Sequence, residues 1–261
     1  MSDTVLAVRD LAVAFGATRA VDGVSLELRR GRTLALVGES GAGKTLTGLA
    51  LLGLTAPGRI AAGSIRFGEQ ELVGAPERTL RALRGNRIAM VFQEPATALN
   101  PVLDIGTQVA EPLEVHQGLS RRAARARAVE LLAEVGLPAP EERLRSYPFE
   151  LSGGQRQRVM IAMALACAPD VLIADEPTTA LDVTIQAQIL DVLARLERER
   201  AMALLFITHD LALVAELADE VAVMRAGKIV EHAAVPAFLA GTAHAYSQRL
   251  LAAARRMSGV A

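Results

Sequence analysis

A chain of 261 residues with 51% hydrophobic side chains has room for one large domain, or for a domain with a subdomain. Its net charge of −1 supplies no general basic field for nucleic acid. No apolar run reaches the ~18 residues that span a bilayer, and the opening Met1-Ser2-Asp3-Thr4 lacks the basic segment of a signal peptide.

Val5–Val8, Leu11–Phe15 and Val24–Leu28 are short apolar runs separated by Gly16 and Asp22-Gly23, a pattern that predicts an N-terminal antiparallel sheet. Thr33-Leu34-Ala35-Leu36-Val37 reads as a buried strand and Leu46–Leu54 as a helix. Between them stands Gly38-Glu39-Ser40-Gly41-Ala42-Gly43-Lys44-Thr45, a glycine loop in the strand–loop–helix context of a phosphate-binding P-loop. Its glycines let backbone amides approach phosphate, and the helix N-terminus adds partial positive charge. Lys44 is expected to reach the β- and γ-phosphates and the Thr45 hydroxyl to ligate Mg2+.

Ser64–Gly68 predicts a strand, Thr79–Arg84 a short helix, and Ile88–Phe92 a strand ending at Gln93. From Glu94 to Arg158 strand signals fade and helical patterns take over, so 94–158 is expected to be a helical insertion in an α/β core formed by 1–93 and 159–261. Arg121–Val135 is an amphipathic helix stopped by Gly136-Leu137-Pro138. Its Arg121, Arg122, Arg125 and Arg127 are spaced by alanine without aromatic interleaving, which points to a solvated face; no nucleic acid partner is expected. Val159–Cys167 is helical, and the single cysteine, Cys167, excludes an intramolecular disulfide and fits a reducing compartment. Val171–Ala174 is a strand, Ile185–Arg198 a helix, Ala203–Thr208 a strand and Leu211–Leu217 a helix. A hairpin over Val221–Met224 and Lys228–Glu231 and a helix over Ala245–Arg256 complete the chain.

Chemistry gathers at strand ends and helix starts, which converge on one crevice in a parallel sheet. Asp175, after the strand 171–174, is placed to bind Mg2+, and Glu176 beside it to accept a proton from an attacking water. His209 ends the next strand and is placed to hydrogen-bond the γ-phosphate. The Gln93 amide is placed to meet Mg2+ or the water. Leu151-Ser152-Gly153-Gly154-Gln155 puts a hydroxyl and two glycines at a helix start, a second phosphate-binding terminus. One small nucleotide does not need two such ends from one chain, so Ser152–Gly154 are expected to serve a nucleotide held by another subunit.

Together these residues resemble the nucleotide-binding subunit of ATP-binding cassette (ABC) transporters. Gly38–Thr45 match the Walker A motif, Gln93 the Q-loop, Leu151–Gln155 the signature motif and Val171–Glu176 Walker B. Ala180-Leu181-Asp182 match the D-loop and His209 the switch histidine. The resemblance covers nearly the whole chain. It implies an α/β fold, a RecA-like P-loop NTPase core with an N-terminal antiparallel β subdomain and an inserted α-helical subdomain.

It also implies ATP and Mg2+ as ligands and a head-to-tail homodimer or heterodimer. In that dimer each ATP lies between one subunit's Walker motifs and the other's signature motif, with Ser152, Gly153, Gly154, Gln155 and Asp182 serving the shared nucleotide. Phe15 is placed like the aromatic that stacks on adenine. Dimer closure would drive a membrane permease, served in turn by a solute-binding protein, from the cytoplasmic face of the membrane.

Residues 92–101 and 180–190 are similar to dipeptide, oligopeptide and nickel importers. So is His244-Ala245-Tyr246-Ser247, although Ala245 departs from that branch's proline. The lack of a cysteine-bearing extension leans toward the shorter, nickel-type subunits. A soluble cassette ATPase acting on DNA or ribosomes is the alternative, usually marked by a coiled-coil insertion or two cassettes in one chain, neither visible here. A P-loop kinase or GTPase would leave Leu151–Gln155 unexplained.

Overall fold

The computed structural model describes residues 3–179 and 181–257. The elements begin with β1 (Thr4–Phe15), β2 (Thr18–Arg29), β3 (Thr33–Val37), α1 (Lys44–Leu51), β4 (Arg59–Phe67), β5 (Gln70–Glu71) and α2 (Glu77–Leu83). There follow β6 (Ile88–Val91), α3 (Pro95–Ala98), α4 (Ile105–Gln117), α5 (Arg121–Glu134), α6 (Pro140–Arg143) and α7 (Gly153–Leu165). The rest comprises β7 (Val171–Asp175), α8 (Val183–Arg200), β8 (Ala203–Thr208), α9 (Leu211–Leu217), β9 (Glu220–Arg225), β10 (Lys228–Ala234), α10 (Val235–Ala240) and α11 (Ala245–Met257). The chain divides into two compact units, Met1–Leu80 with Ala201–Ala261, and Arg81–Arg200.

The first unit holds an antiparallel sheet in the order β2-β1-β4-β5. β1 is one strand where the sequence pattern gives two runs. The polar break at Arg9-Asp10 is a bulge: Asp10 has φ 47° and the pairing with β2 shifts register between Val8 and Leu11. Gly63 of β4 accommodates it, because a Cβ there would lie 2.6 Å from the Leu11 Cα. In the same unit β3 runs parallel to β8 and β9, and β10 folds back antiparallel on β9. Every residue of β3 and β8 is buried, as both-face coverage of a parallel strand requires. Val37, Leu211, Val214, Val221, Phe238, Tyr246 and Leu251 share one apolar core that seats α9, α10 and α11 against these strands. α1 spans Lys44–Leu51 rather than 46–54, because Gly53, at φ 65°, ends it.

In the second unit β6 and β7 pair in parallel, both fully buried. α7 starts at Gly153, six residues before the apolar stretch from Val159 that marks it in sequence, because Ser152 caps it. Three arginines gather at the C-terminal end of α5. Arg158 and Arg195 donate to the Val135 and Glu134 carbonyls, each at 2.5 Å, and Arg200 pairs with the Glu134 carboxylate at 2.5 Å. Arg158 is only 9% exposed, its burial lowers its pKa, and it also donates to Gln188 Oε1 at 2.7 Å. Cys167 is buried with its thiol directed at the Pro112 carbonyl, 3.4 Å away, and burial pushes its pKa up. Arg125 and Arg127 of α5 are ion-paired, to Asp104 and Glu130.

Asp104 caps α4 by accepting the Thr107 amide at 2.6 Å. Partial burial pushes its carboxyl up, but hydrogen bonds from Thr107 and the Arg125 guanidinium outweigh this and hold it below its ordinary value. Asp104→Ala is expected to cost about 1 kcal/mol, seen as a Tm about 2–4 °C lower. A lowered carboxyl pKa stabilises the fold above the unfolded value of about 3.9 and loses that contribution as pH falls through the folded value. The difference between wild type and variant should therefore persist at neutral pH and shrink below about pH 4. Melting curves across pH 3–7 check this; a difference that grows in acid contradicts it.

Candidate nucleotide-binding site

The residues expected to handle nucleotide are divided between the units. Phe15, residues 38–45 and His209 belong to the first; Gln93, residues 152–155, Asp175, Glu176 and Asp182 belong to the second.

In the first unit the loop 38–43 leaves β3 and enters α1 at Lys44. Two glycines are demanded by space. A Cβ on Gly38 would lie 2.2 Å from the Met224 carbonyl oxygen, and one on Gly43, at φ 104°, 2.7 Å from that of Ala20. Gly43 is the N-cap of α1; no side chain caps the helix there and its first turn holds no acidic residue. The helix dipole favours an anion at this end. The Lys44 ammonium is buried, 6% exposed, and donates to the Gly38 and Glu39 carbonyls at 2.8 and 3.1 Å, curling the loop around itself. Ser40, Gly41 and Thr45 are exposed, while Ala42 is buried and its carbonyl accepts the Gly227 amide at 3.0 Å. Phe15 is 40% exposed at the end of β1, with Gly58 against its ring edge. His209 is exposed just past β8, and Asp210 beside it caps α9 through the Ala212 amide at 2.8 Å.

In the second unit Asp175 closes β7 and is 2% exposed. Glu176 follows at φ 44°, a left-handed geometry that costs a non-glycine residue about 1–3 kcal/mol and gathers at functional sites. Gln93 Nε2 and Thr179 Oγ1 both donate to Glu176 Oε2, at 3.2 and 2.9 Å. Gln93 and Glu176, predicted separately from two strand ends, are thus joined by a hydrogen bond. Thr179 was not singled out from the sequence; its hydroxyl three residues after an acidic strand end is the only signal it offers.

Ser152 Oγ accepts the Gln155 amide at 3.3 Å while Gln155 Oε1 accepts the Ser152 amide at 2.9 Å, a reciprocal capping box. A Cβ on Gly154 would lie 2.6 Å from Ile185 Cγ2, so α7 and α8 start in close contact. Asp182 accepts the Ile185 amide at 2.9 Å, the bond of a helix cap. Ala180, the first residue of the expected D-loop, lies outside the described residues.

Among the described residues no group of three or more His, Cys, Asp or Glu side chains could hold a metal. Thr45 in the first unit, and Gln93 and Asp175 in the second, each carry an oxygen donor of the kind a hard cation takes.

A buried strand, a glycine cradle around a buried lysine and an acidic strand end define a P-loop nucleotide-binding protein. The family described as ABC transporter matches residues 21–179, and the chain belongs to it. It is 55% identical to the peptidoglycan transport ATP-binding protein YejF of Agrobacterium fabrum, over 95% of this chain and 47% of that one. It is 48% identical to the dipeptide transport ATP-binding protein DppD of Haemophilus influenzae, over 95% of this chain and 76% of the relative. It is 49% identical to the oligopeptide transport ATP-binding protein OppD of Bacillus subtilis, over 95% and 71%. The chain thus spans about half the length of the first of these and about three quarters of the others. A dimeric ATP-binding cassette solved in a post-hydrolysis state with ADP and Pi superimposes with TM-score 0.79 at 26% identity, over 88% of this chain and 98% of that one. These likenesses bear out the RecA-like cassette fold and the resemblance to the dipeptide, oligopeptide and nickel importer branch, on its peptide side; none of the three relatives is named for nickel.

Proposed function

We propose that the chain is the ATP-hydrolysing subunit of an ABC importer for peptides, working as a dimer of cassettes bound to a membrane permease. The observation that carries this is one chain bearing both a phosphate cradle at 38–45 and a capped glycine helix start at 152–155. A single nucleotide needs one of these, so the second serves the nucleotide of a partner. ATP lies with its phosphates along 38–45 and its adenine against Phe15; Ser152, Gly153, Gly154, Gln155 and Asp182 act on the ATP of the opposing cassette. Lys44 neutralises the β- and γ-phosphates, Glu176 accepts the proton of the attacking water, and His209 hydrogen-bonds the γ-phosphate. Gln93, already bonded to Glu176, orients the general base. Mg2+, when bound, supplies charge neutralisation at the phosphates and is held by Thr45, Gln93 and Asp175.

Residues 94–158 form the helical subdomain that meets the permease. Within it Tyr147 and Phe149 stack at 5.6 Å between centroids while 40% and 71% exposed, an apolar surface suited to a partner. No helix among the described residues is long and apolar enough to cross a membrane; attachment to the cytoplasmic face is through the permease. A solute-binding protein delivers the cargo. The relatives named for dipeptide, oligopeptide and peptidoglycan transport favour peptides over nickel, and favour transport over a DNA- or ribosome-bound role.

The shared site is tested by mixing two inactive chains. Gly153→Asp should keep ATP binding within about twofold and abolish hydrolysis, since among the described residues a Cβ there meets only an ordinary contact with Leu181. Adding a Lys44→Ala chain should restore turnover, because the mixed dimer contains one intact composite site. No recovery, or full activity in a strictly monomeric wild type, contradicts the proposal.

A further inference from the structure

The phosphate loop is tied to the C-terminal helix α11 through one residue, Tyr246. The tyrosine hydroxyl accepts the Glu39 amide at 3.0 Å. The carbonyl of the same Glu39 accepts the Lys44 ammonium at 3.1 Å, so this residue is held on one side by α11 and on the other by the P-loop lysine. The Tyr246 ring also carries the Arg225 guanidinium, 5.0 Å from its centroid, and Arg249 at 6.0 Å. Arg225 closes β9, and two residues later Gly227 donates its amide to the Ala42 carbonyl at 3.0 Å. Tyr246 thus touches the loop directly at Glu39 and, through Arg225, the strand end that leads into the turn bonded to Ala42.

The anchor itself is firm. Tyr246 is 2% exposed and shares a core with Val37, the residue that leads into Gly38. The start of α11 is fixed by His244 Nδ1, which accepts the Tyr246 amide at 3.2 Å, and by the Glu231 carboxylate, which accepts the Ala243 amide at 3.1 Å and the Thr242 hydroxyl.

We propose that Tyr246 is a positioning residue of the phosphate loop: its hydroxyl sets the Glu39 peptide, and with it the seat of Lys44 and the curvature of 38–43 around a triphosphate. This rests on the reading of 38–45 as the triphosphate cradle. A backbone held in place before the ligand arrives does not have to be ordered on binding, so the cost of the brace is met in folding and returns as affinity. The cargo-branch resemblance of residues 244–247 gains a physical role here, in nucleotide binding rather than in transport specificity.

Tyr246→Phe removes the acceptor and keeps the ring, its burial and both guanidinium contacts. One hydrogen bond from a partly buried amide corresponds to about a five- to tenfold change in an equilibrium constant. The Kd for MgATP and for ADP, measured by calorimetry on the full chain, should rise by that factor. KM for ATP should rise with it in the assembled ATPase, with kcat within about twofold. Hydrogen exchange at the Glu39 amide should quicken at least tenfold in the nucleotide-free chain, and its Tm should fall by no more than about 4 °C. A Phe variant that binds ATP like wild type, or one whose only change is a lower Tm, overturns the proposal, since a purely packing role is satisfied by phenylalanine. Absence of ATP binding by the wild type would instead overturn the triphosphate reading of 38–45 and leave the Glu39 exchange rate as the measure of the brace.

Discussion

Lys44→Ala is expected to weaken ATP binding by at least about 100-fold and to abolish turnover. The ammonium is buried against the Gly38 and Glu39 carbonyls, where a charge survives only because it is hydrogen-bonded. In the proposed binding mode the loop that wraps it presents the same charge to the phosphates. Charge-assisted hydrogen bonds contribute about 1.5–3 kcal/mol each, so losing this one together with the shape of the loop accounts for a hundredfold or more. Alanine also leaves the two carbonyls without the ammonium, so the loop loses its internal tie as well as its ligand contact. Calorimetry with MgATP on the purified chain, paired with a circular dichroism melt to show folding, measures the effect. Unchanged ATPase activity in the variant would remove the P-loop assignment.

Glu176→Gln is expected to keep ATP binding and to lower hydrolysis by about 100- to 10,000-fold, the span that general-base catalysis covers. The substitution is nearly isosteric. Gln93 and Thr179 both donate to one oxygen of Glu176, and a glutamine amide oxygen can still accept both. What it cannot do is take a proton from water. The variant should therefore accumulate as an ATP-bound dimer, seen by light scattering on a sizing column with and without MgATP. A variant that hydrolyses ATP at the normal rate would show that the base lies elsewhere.

Much of this site was legible in sequence because each piece carries its own local physics. Glycines before Lys44 mark a loop that a Cβ would obstruct, and the structure shows the obstructions at Met224 and Ala20. Four apolar residues before Asp175 mark a strand buried on both faces, and β7 is buried throughout. Ser152 before two glycines marks a helix start, and in space Ser152 and Gln155 close that start with a capping box. The long-range ties were not legible. Tyr246 lies 207 residues from the Glu39 amide it holds, and the Glu176 partner Gln93 is 83 residues away. No spacing rule reaches so far; the topology alone brings such pairs together. Boundaries failed for a different reason, since the bulge at Asp10 keeps one strand running through a polar pair that reads as a break.

The solitary thiol of Cys167 has a practical corollary. It is enclosed in the second unit beside the Pro112 carbonyl, and its surroundings disfavour the reactive thiolate. Maleimide reagents should pass it over while the native fold holds. A cysteine introduced at an exposed position such as Val183 can then carry a fluorophore or spin label with no background deletion, so engagement of two cassettes can be followed by spectroscopy in a protein otherwise left as it is.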